Sequence, residues 1–150
     1  MNAIPQPLQD LLDSFDIIED RQERVRALIE WADLFEPVPA SVATAPYPES
    51  ARAPACESEA YGFLEPLDDG SLRYRFAVEN PQGVSAMALA AIIDRTFSGQ
   101  PAERVLAVDA DVVYALFGRE LSMGKAAGLM GMIQLTHALT RRHAAAEAQR

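Results

Sequence analysis

The sequence predicts one α+β domain, in which two N-terminal helices are followed by a small antiparallel sheet and then by C-terminal helices. Three observations lead to this prediction. Residues 8–36 and residues 84–143 carry apolar side chains at helical spacing, and residues 59–78 alternate apolar and polar side chains around a turn. The 150 residues suit a single domain, 1–150, that can bury a core.

The first two helices are predicted from two apolar stripes. The first stripe consists of Leu8, Leu11, Leu12, Phe15 and Ile18. The second helix begins after Asp20, whose carboxylate can accept free backbone N–H groups, and it ends near Glu36. Its inward face is predicted to contain Val25, Leu28, Ile29, Ala32 and Phe35. The short link between the helices predicts that they pack as an antiparallel pair.

Residues 37–55 form a proline-rich loop, since they hold five of the ten prolines. Proline lacks a backbone N–H and biases the preceding residue away from helix, so no regular element is expected here. An irregular stretch of this length within a small domain is usually functional or disordered. The only cysteine, Cys56, follows at its end.

A β-hairpin is predicted after the loop. Tyr61, Phe63 and Leu67 lie on one side of the first strand, and Asp69-Gly70 supplies the turn. The second strand has the clearest alternation in the chain, over residues 72–78. Two strands alone are marginally stable, so we expect helices to cover their apolar face.

The remaining chain is predicted to be helical. A helix spans 84–97, two short helices follow, and Ser122 is the expected N-cap of a long final helix. Gly128 and Gly131 weaken that helix relative to alanine, which suggests that they permit close packing against another element. The tail at 144–150 is predicted to fray.

Charge and hydropathy exclude several classes of function. The net charge is −9, and the chain lacks the clustered basic stripe of a nucleic-acid-binding protein. Residues 1–69 hold 15 of the 22 carboxylates but only 4 of the 13 Lys and Arg residues, so a partner near Cys56 is expected to be positively charged. The N-terminus has no signal-peptide pattern, and no apolar run is long enough to span a membrane. We therefore expect a soluble, cytoplasmic protein.

Cys56 is the strongest candidate for chemistry. A single cysteine excludes internal disulfides and cysteine-rich metal sites. It is either a small buried hydrophobe or a working thiol at a loop–strand junction. The adjacent carboxylates of Glu57 and Glu59 argue against a strongly activated nucleophile, whereas thiol exchange needs less activation. A Cys-His protease would require the fold to bring His137 close, and the spacing of His137 and His143 is poor for a metal pair.

Two segments resemble the SufE family, the sulfur-acceptor proteins of iron–sulfur cluster assembly. The segment Ala55–Tyr61 is similar to the glycine-Cys-x-Ser-x-Val-Trp signature of that family, with Cys56 and Ser58 in matching places. The segment Leu121–Leu129 is similar to its Leu-Ser-Pro-x-Arg-x-x-Gly-Leu motif. Alanine stands where the family has glycine before the cysteine, and Lys125 stands where it has arginine. The chain therefore resembles a divergent member.

The resemblance implies a fold like that of SufE and IscU-type proteins and a role for each matched residue. Cys56 would accept persulfide sulfur from a SufS-like cysteine desulfurase that uses pyridoxal phosphate, and it would relay the sulfur to a SufB-like scaffold for cluster assembly. Glu57, Ser58 and Lys125 would contact the partner. This chain would bind no cofactor itself, would stimulate the desulfurase rather than act as a stand-alone enzyme, and would use a mobile loop to give access to the thiol.

Cysteine count separates a relay from a scaffold. One thiol suffices to carry sulfur, whereas an iron–sulfur scaffold usually needs several thiolates. The alternative is an interaction module that has the same fold and a packed, unreactive cysteine. The sequence leaves open whether the protein is a monomer or a dimer.

Overall fold

The computed structural model describes residues 3–150 and confirms the α+β prediction. Six helices and two strands lie along this part of the chain: α1 (Gln6–Asp16), α2 (Arg21–Asp33), β1 (Ala60–Pro66), β2 (Leu72–Val78), α3 (Val84–Phe97), α4 (Ala102–Leu106), α5 (Val112–Phe117) and α6 (Met123–Ala148). No helix in residues 3–150 combines the length and the apolarity needed to cross a bilayer.

The helix starts follow the predicted capping residues. The Asp20 carboxylate accepts a hydrogen bond from the Gln22 amide at 3.1 Å, and the Ser122 hydroxyl accepts one from the Lys125 amide at 3.2 Å. Such caps satisfy N–H groups that the first helical turn leaves free. At its other end, α6 continues to Ala148, and its side chains beyond His143 are exposed.

The first two helices do not form the predicted antiparallel pair. The buried helix α3 is the common support: α2 packs along it, and α1 packs against α3 and α5. Arg24 holds the short link between α1 and α2 in place. Its guanidinium donates to the carbonyls of Phe15 and Ile18 at 3.1 and 3.3 Å and to those of Ala115 and Leu116 at 2.9 Å each. These bonds satisfy carbonyls at the ends of α1 and α5 and join the two ends to α2.

The face that α2 buries is also rotated from the predicted one. Leu28, Trp31 and Phe35 pack against the core. This series recurs at helical spacing and places Val25 and Ile29 at the edge of the buried face. The structure leaves them 47% and 46% exposed, so the prediction that they point inward is wrong.

The hairpin has the predicted strands and turn. The strands are antiparallel, from Ala60 opposite Val78 to Pro66 opposite Leu72. Gly70 has a φ of +86°, a conformation that glycine adopts without steric cost.

Both faces of the hairpin are covered. Tyr74 and Phe76 are buried in the main core, on the side of the helices. On the opposite face, Val38 from the proline-rich loop packs with Tyr61, and the rings of Tyr47 and Tyr61 lie 5.2 Å apart. The loop has one turn of 3₁₀ helix, at Glu49–Ala51, and its Pro37 and Arg52 form isolated β-bridges to Phe76 and Tyr61. Its irregular backbone is confirmed, and the loop packs as a layer over this face of the sheet.

Candidate functional site

Cys56 lies in a tight loop between the proline-rich segment and β1. The Ala53 amide donates to the Ala60 carbonyl at 2.8 Å, and the Glu59 amide donates to the Cys56 carbonyl at 3.2 Å. Ala55 and Glu59 have φ values of 59° and 55°, in the left-handed region that few residues other than glycine adopt. Residues with left-handed backbone conformation therefore lie on both sides of Cys56, and they set the course of the chain around it.

Glycines in α6 allow this loop to approach the helix. A Cβ on Gly128 would lie 3.2 Å from the Ala55 carbonyl oxygen and 3.3 Å from the Cys56 Cα. A Cβ on Gly131 would collide with the carbonyl oxygen of Pro54. The close packing predicted for the two glycines is thus confirmed. It leaves Cys56 only 6% exposed, so the junction does not project the thiol outward.

Ser58 is held by a second close approach, to the turn before α3. The Asn80 amide donates to the Ser58 carbonyl at 3.2 Å. A Cβ on Gly83 would lie 2.9 Å from the Ser58 Cβ, so a larger residue at position 83 would displace the serine. The hairpin and the start of α3 therefore position Ser58, the second residue after Cys56.

The four residues predicted for the site line one cleft of about 360 Å³. Cys56, Glu57 and Ser58 come from the loop, and Lys125 comes from the first turn of α6. Glu57 and Lys125 are exposed, Ser58 is half-buried, and Cys56 is buried. Tertiary folding thus brings the matched lysine of the second segment to the cysteine of the first.

Two further hydroxyl groups line the cleft, and neither was predicted from the sequence as part of the site. They belong to Ser85 at the start of α3 and Ser122 at the start of α6. The N-termini of two helices therefore meet at this cleft, and each contributes partial positive charge from free amide groups. The sequence predicted where each of these helices begins, but only the tertiary structure places both helix starts beside Cys56.

The cleft can hold a small anionic group. Among its lining residues, Lys125 supplies the one positive side chain and Glu57 the one negative side chain. The hydroxyls and helix ends add hydrogen-bond donors and partial positive charge without adding a base. The lining residues include no histidine, so the cleft does not hold the imidazole base of a Cys-His acyl-transfer site.

The two histidines lie outside the cleft. His137 packs near Val105, and its buried Nε2 has no hydrogen-bond partner among residues 3–150. Burial lowers the pKa of His137 below its ordinary value, and the nearby charge of Arg141 lowers it further. The Cys-His pair of a protease is therefore not assembled here. Within the described residues, no three His, Cys, Asp or Glu side chains cluster as metal ligands would.

Comparison with known proteins identifies the family of this fold. The structure is similar to the solution structure of a hypothetical protein from Thermus thermophilus, with a TM-score of 0.67 over 93% of this chain and 96% of that one. At 20% identity, that likeness shows the fold alone. No curated protein matches the sequence. The family model described as "SufE: Fe-S metabolism associated domain" matches residues 9–140, nearly the whole chain. The chain therefore belongs to the SufE family, and its role lies in Fe–S metabolism.

Proposed function

We propose that this protein accepts persulfide sulfur on Cys56 from a cysteine desulfurase and relays it to a scaffold for iron–sulfur cluster assembly. The observation that carries the proposal is the shared cleft, in which Cys56 lies beside Glu57, Ser58 and Lys125. The chain belongs to the SufE family, and a role in Fe–S metabolism is in keeping with this proposal.

The transfer is a thiol–persulfide exchange. The Cys56 thiolate attacks the terminal sulfur of a persulfide on the desulfurase cysteine, and a new S–S bond forms to Cys56. The S–S bond within the donor persulfide breaks, and its electron pair leaves on the desulfurase sulfur as a thiolate. The terminal sulfur keeps its hydrogen, so the products are Cys56–S–SH and a restored desulfurase thiol. The pyridoxal phosphate that generates the donor persulfide belongs to the desulfurase.

Several features of the site support this exchange. The cleft has space beside a buried thiol, and the loop that carries Cys56 packs closely against Gly128. Lys125 and the N-termini of α3 and α6 favour a persulfide, which carries negative charge when ionised. Glu57 and Lys125 are exposed at the cleft and are therefore available to a docked protein.

Intact mass spectrometry tests the proposal. The protein is incubated with a pyridoxal-phosphate cysteine desulfurase from the same organism and with free cysteine, and a mass increase of one sulfur atom is expected on Cys56. The Cys56→Ser variant should fold normally, carry no added sulfur and fail to stimulate the desulfurase. If the wild-type protein gains no sulfur while the desulfurase turns over, the relay role is wrong.

The competing function is that of an interaction module whose cysteine only packs. The 6% exposure of Cys56 favours this alternative, since free cysteines are commonly buried as small hydrophobes. The mass experiment separates the two functions, because a module without a working thiol would bind its partner and remain free of added sulfur.

A further inference from the structure

A second depression of about 440 Å³ adjoins the cleft of Cys56. It lies between α2, the start of α3 and the segment that joins α5 to α6, and we call it the α2 groove. The two depressions share Ser85, Ser122 and Lys125 as lining residues. A protein that brings a sulfur atom to Cys56 therefore passes this groove at close range.

The groove is apolar along one wall. Val25, Ile29 and Val84 line it and are 47%, 46% and 44% exposed, and Leu28 lies half-buried between them. Val25 and Ile29 lie on α2, on the edge of the face that the helix does not bury. Adjacent aliphatic side chains left in water at a concave surface are a common mark of a protein-binding site.

The charge of the groove is opposite to that of the whole chain. Its lining holds four cationic side chains and two carboxylates, whereas the protein has a net charge of −9. Arg21 is paired with Glu120 at 2.8 Å, and Arg24 is engaged by backbone carbonyls. Arg119 and Lys125 form no ion pair within residues 3–150. The expectation that the partner near Cys56 is positively charged, which followed from the acidity of residues 1–69, therefore does not apply to this face.

We propose that the α2 groove binds an apolar segment of the sulfur donor that carries flanking carboxylates. The aliphatic wall would bury the apolar side chains, and Arg119 and Lys125 would pair with the carboxylates. A second copy of this chain fits less well, because two molecules of net charge −9 repel each other at long range. This inference rests on the proposed function, since it takes the donor to be a cysteine desulfurase.

Binding measured without sulfur transfer tests the groove separately from the relay. The Cys56→Ser protein carries a fluorophore at its N-terminus, and its anisotropy is followed as a pyridoxal-phosphate cysteine desulfurase from the same organism is added. Adding Val25→Ser and Ile29→Ser together should weaken binding by about tenfold or more. Leu34→Ser is the matched control, since Leu34 is 44% exposed and lies outside the groove, and it should leave binding within about twofold.

A charge reversal gives an independent variant that leaves the apolar wall intact. Arg119→Glu should weaken binding several-fold, and the loss should shrink as salt is added. Arg26→Glu makes the same charge change on α2 outside the groove and should have little effect.

Each result decides for or against the groove. Equal binding by the groove variants and their controls overturns it, as does an absence of binding by the Cys56→Ser protein. A self-associating protein that becomes monomeric in sedimentation after the Val25 and Ile29 changes would identify a second copy as the occupant and also overturn it. If only the relay role is wrong, the groove variants will still weaken binding of the desulfurase and their controls will not, but the wild-type protein will gain no sulfur.

Discussion

The Cα of Cys56 lies so close to Gly128 that a methyl group on this glycine would stand 3.3 Å from it. The position of the thiol is thus set by a helix that begins far along the chain from the cysteine loop. Small residues on α6 act as the surface on which the loop rests, and the shape of the cleft depends on that contact.

Replacing Gly131 with alanine should destabilise the protein by about 1 to 3 kcal/mol, because the new methyl group would collide with the Pro54 carbonyl oxygen. Urea unfolding measures the loss. Gly124→Ala is the control in the same helix, since nothing lies within 4 Å of a Cβ there, and its improved helix propensity should keep stability equal or raise it. Similar stability of the two variants would contradict the close contact at Pro54.

Replacing Ala55 with glycine should raise the free energy of unfolding by about 1 kcal/mol. Ala55 has a φ of 59°, where a Cβ is sterically strained and glycine is not. Ala40→Gly provides the comparison at an exposed position that does not have a positive φ, and it should lose about 0.5 kcal/mol through the greater freedom of the unfolded chain. Thermal or urea unfolding gives both values, and an equal loss in the two variants would argue against strain at Ala55.

Alkylation of Cys56 by iodoacetamide should proceed in the native protein at a rate that is independent of urea at low concentration. The reason is that the cleft gives a small reagent access to the thiol without unfolding. The rate should still be well below that of the unfolded chain, given the 6% exposure of the residue. If the cysteine is merely packed, the rate will instead rise steeply with urea from the first addition, in parallel with the unfolded population.

Stability should fall as the pH is lowered through the titration of His137. Burial lowers its pKa below the ordinary value of 6.5, so the unfolded chain binds a proton more readily than the folded one. The contribution is fully present above pH 6.5 and is lost as the pH falls from there towards the folded pKa. Arg141 and Asp109 act on the group in opposite directions, and Arg141 has the larger effect.

Urea unfolding at about pH 5.5 and about pH 7.5 measures this dependence. The His137→Gln variant should show a smaller difference between the two pH values than wild type. His143→Gln removes the other histidine of the chain and serves as the matched substitution for comparison. An unchanged difference in the His137 variant would exclude this residue as its source.

Local patterns predicted the elements of this protein well. The span of α3, the caps at Asp20 and Ser122, and the strands of the hairpin follow from apolar spacing and capping chemistry, which depend on neighbouring residues. The packing of α1 and α2 was predicted wrongly, because the length of a link does not reveal that α2 packs along α3 and that α1 packs against α3 and α5. The rotation of α2 that exposes Val25 was missed for the same reason.

The sequence alone determined that the protein has one thiol, that this thiol follows a proline-rich loop, and that its surroundings in the chain resemble a sulfur acceptor. Residue types and their order carry this information. Only the tertiary structure decided that Cys56 is buried and that Lys125, Ser85 and Ser122 join it in one cleft. The tertiary structure also decided that the α2 groove, which has an apolar wall and an excess of positive charge, lies beside this cleft. These features arise where distant segments meet, and close approach depends on how volumes fit across elements rather than on spacing within any one of them.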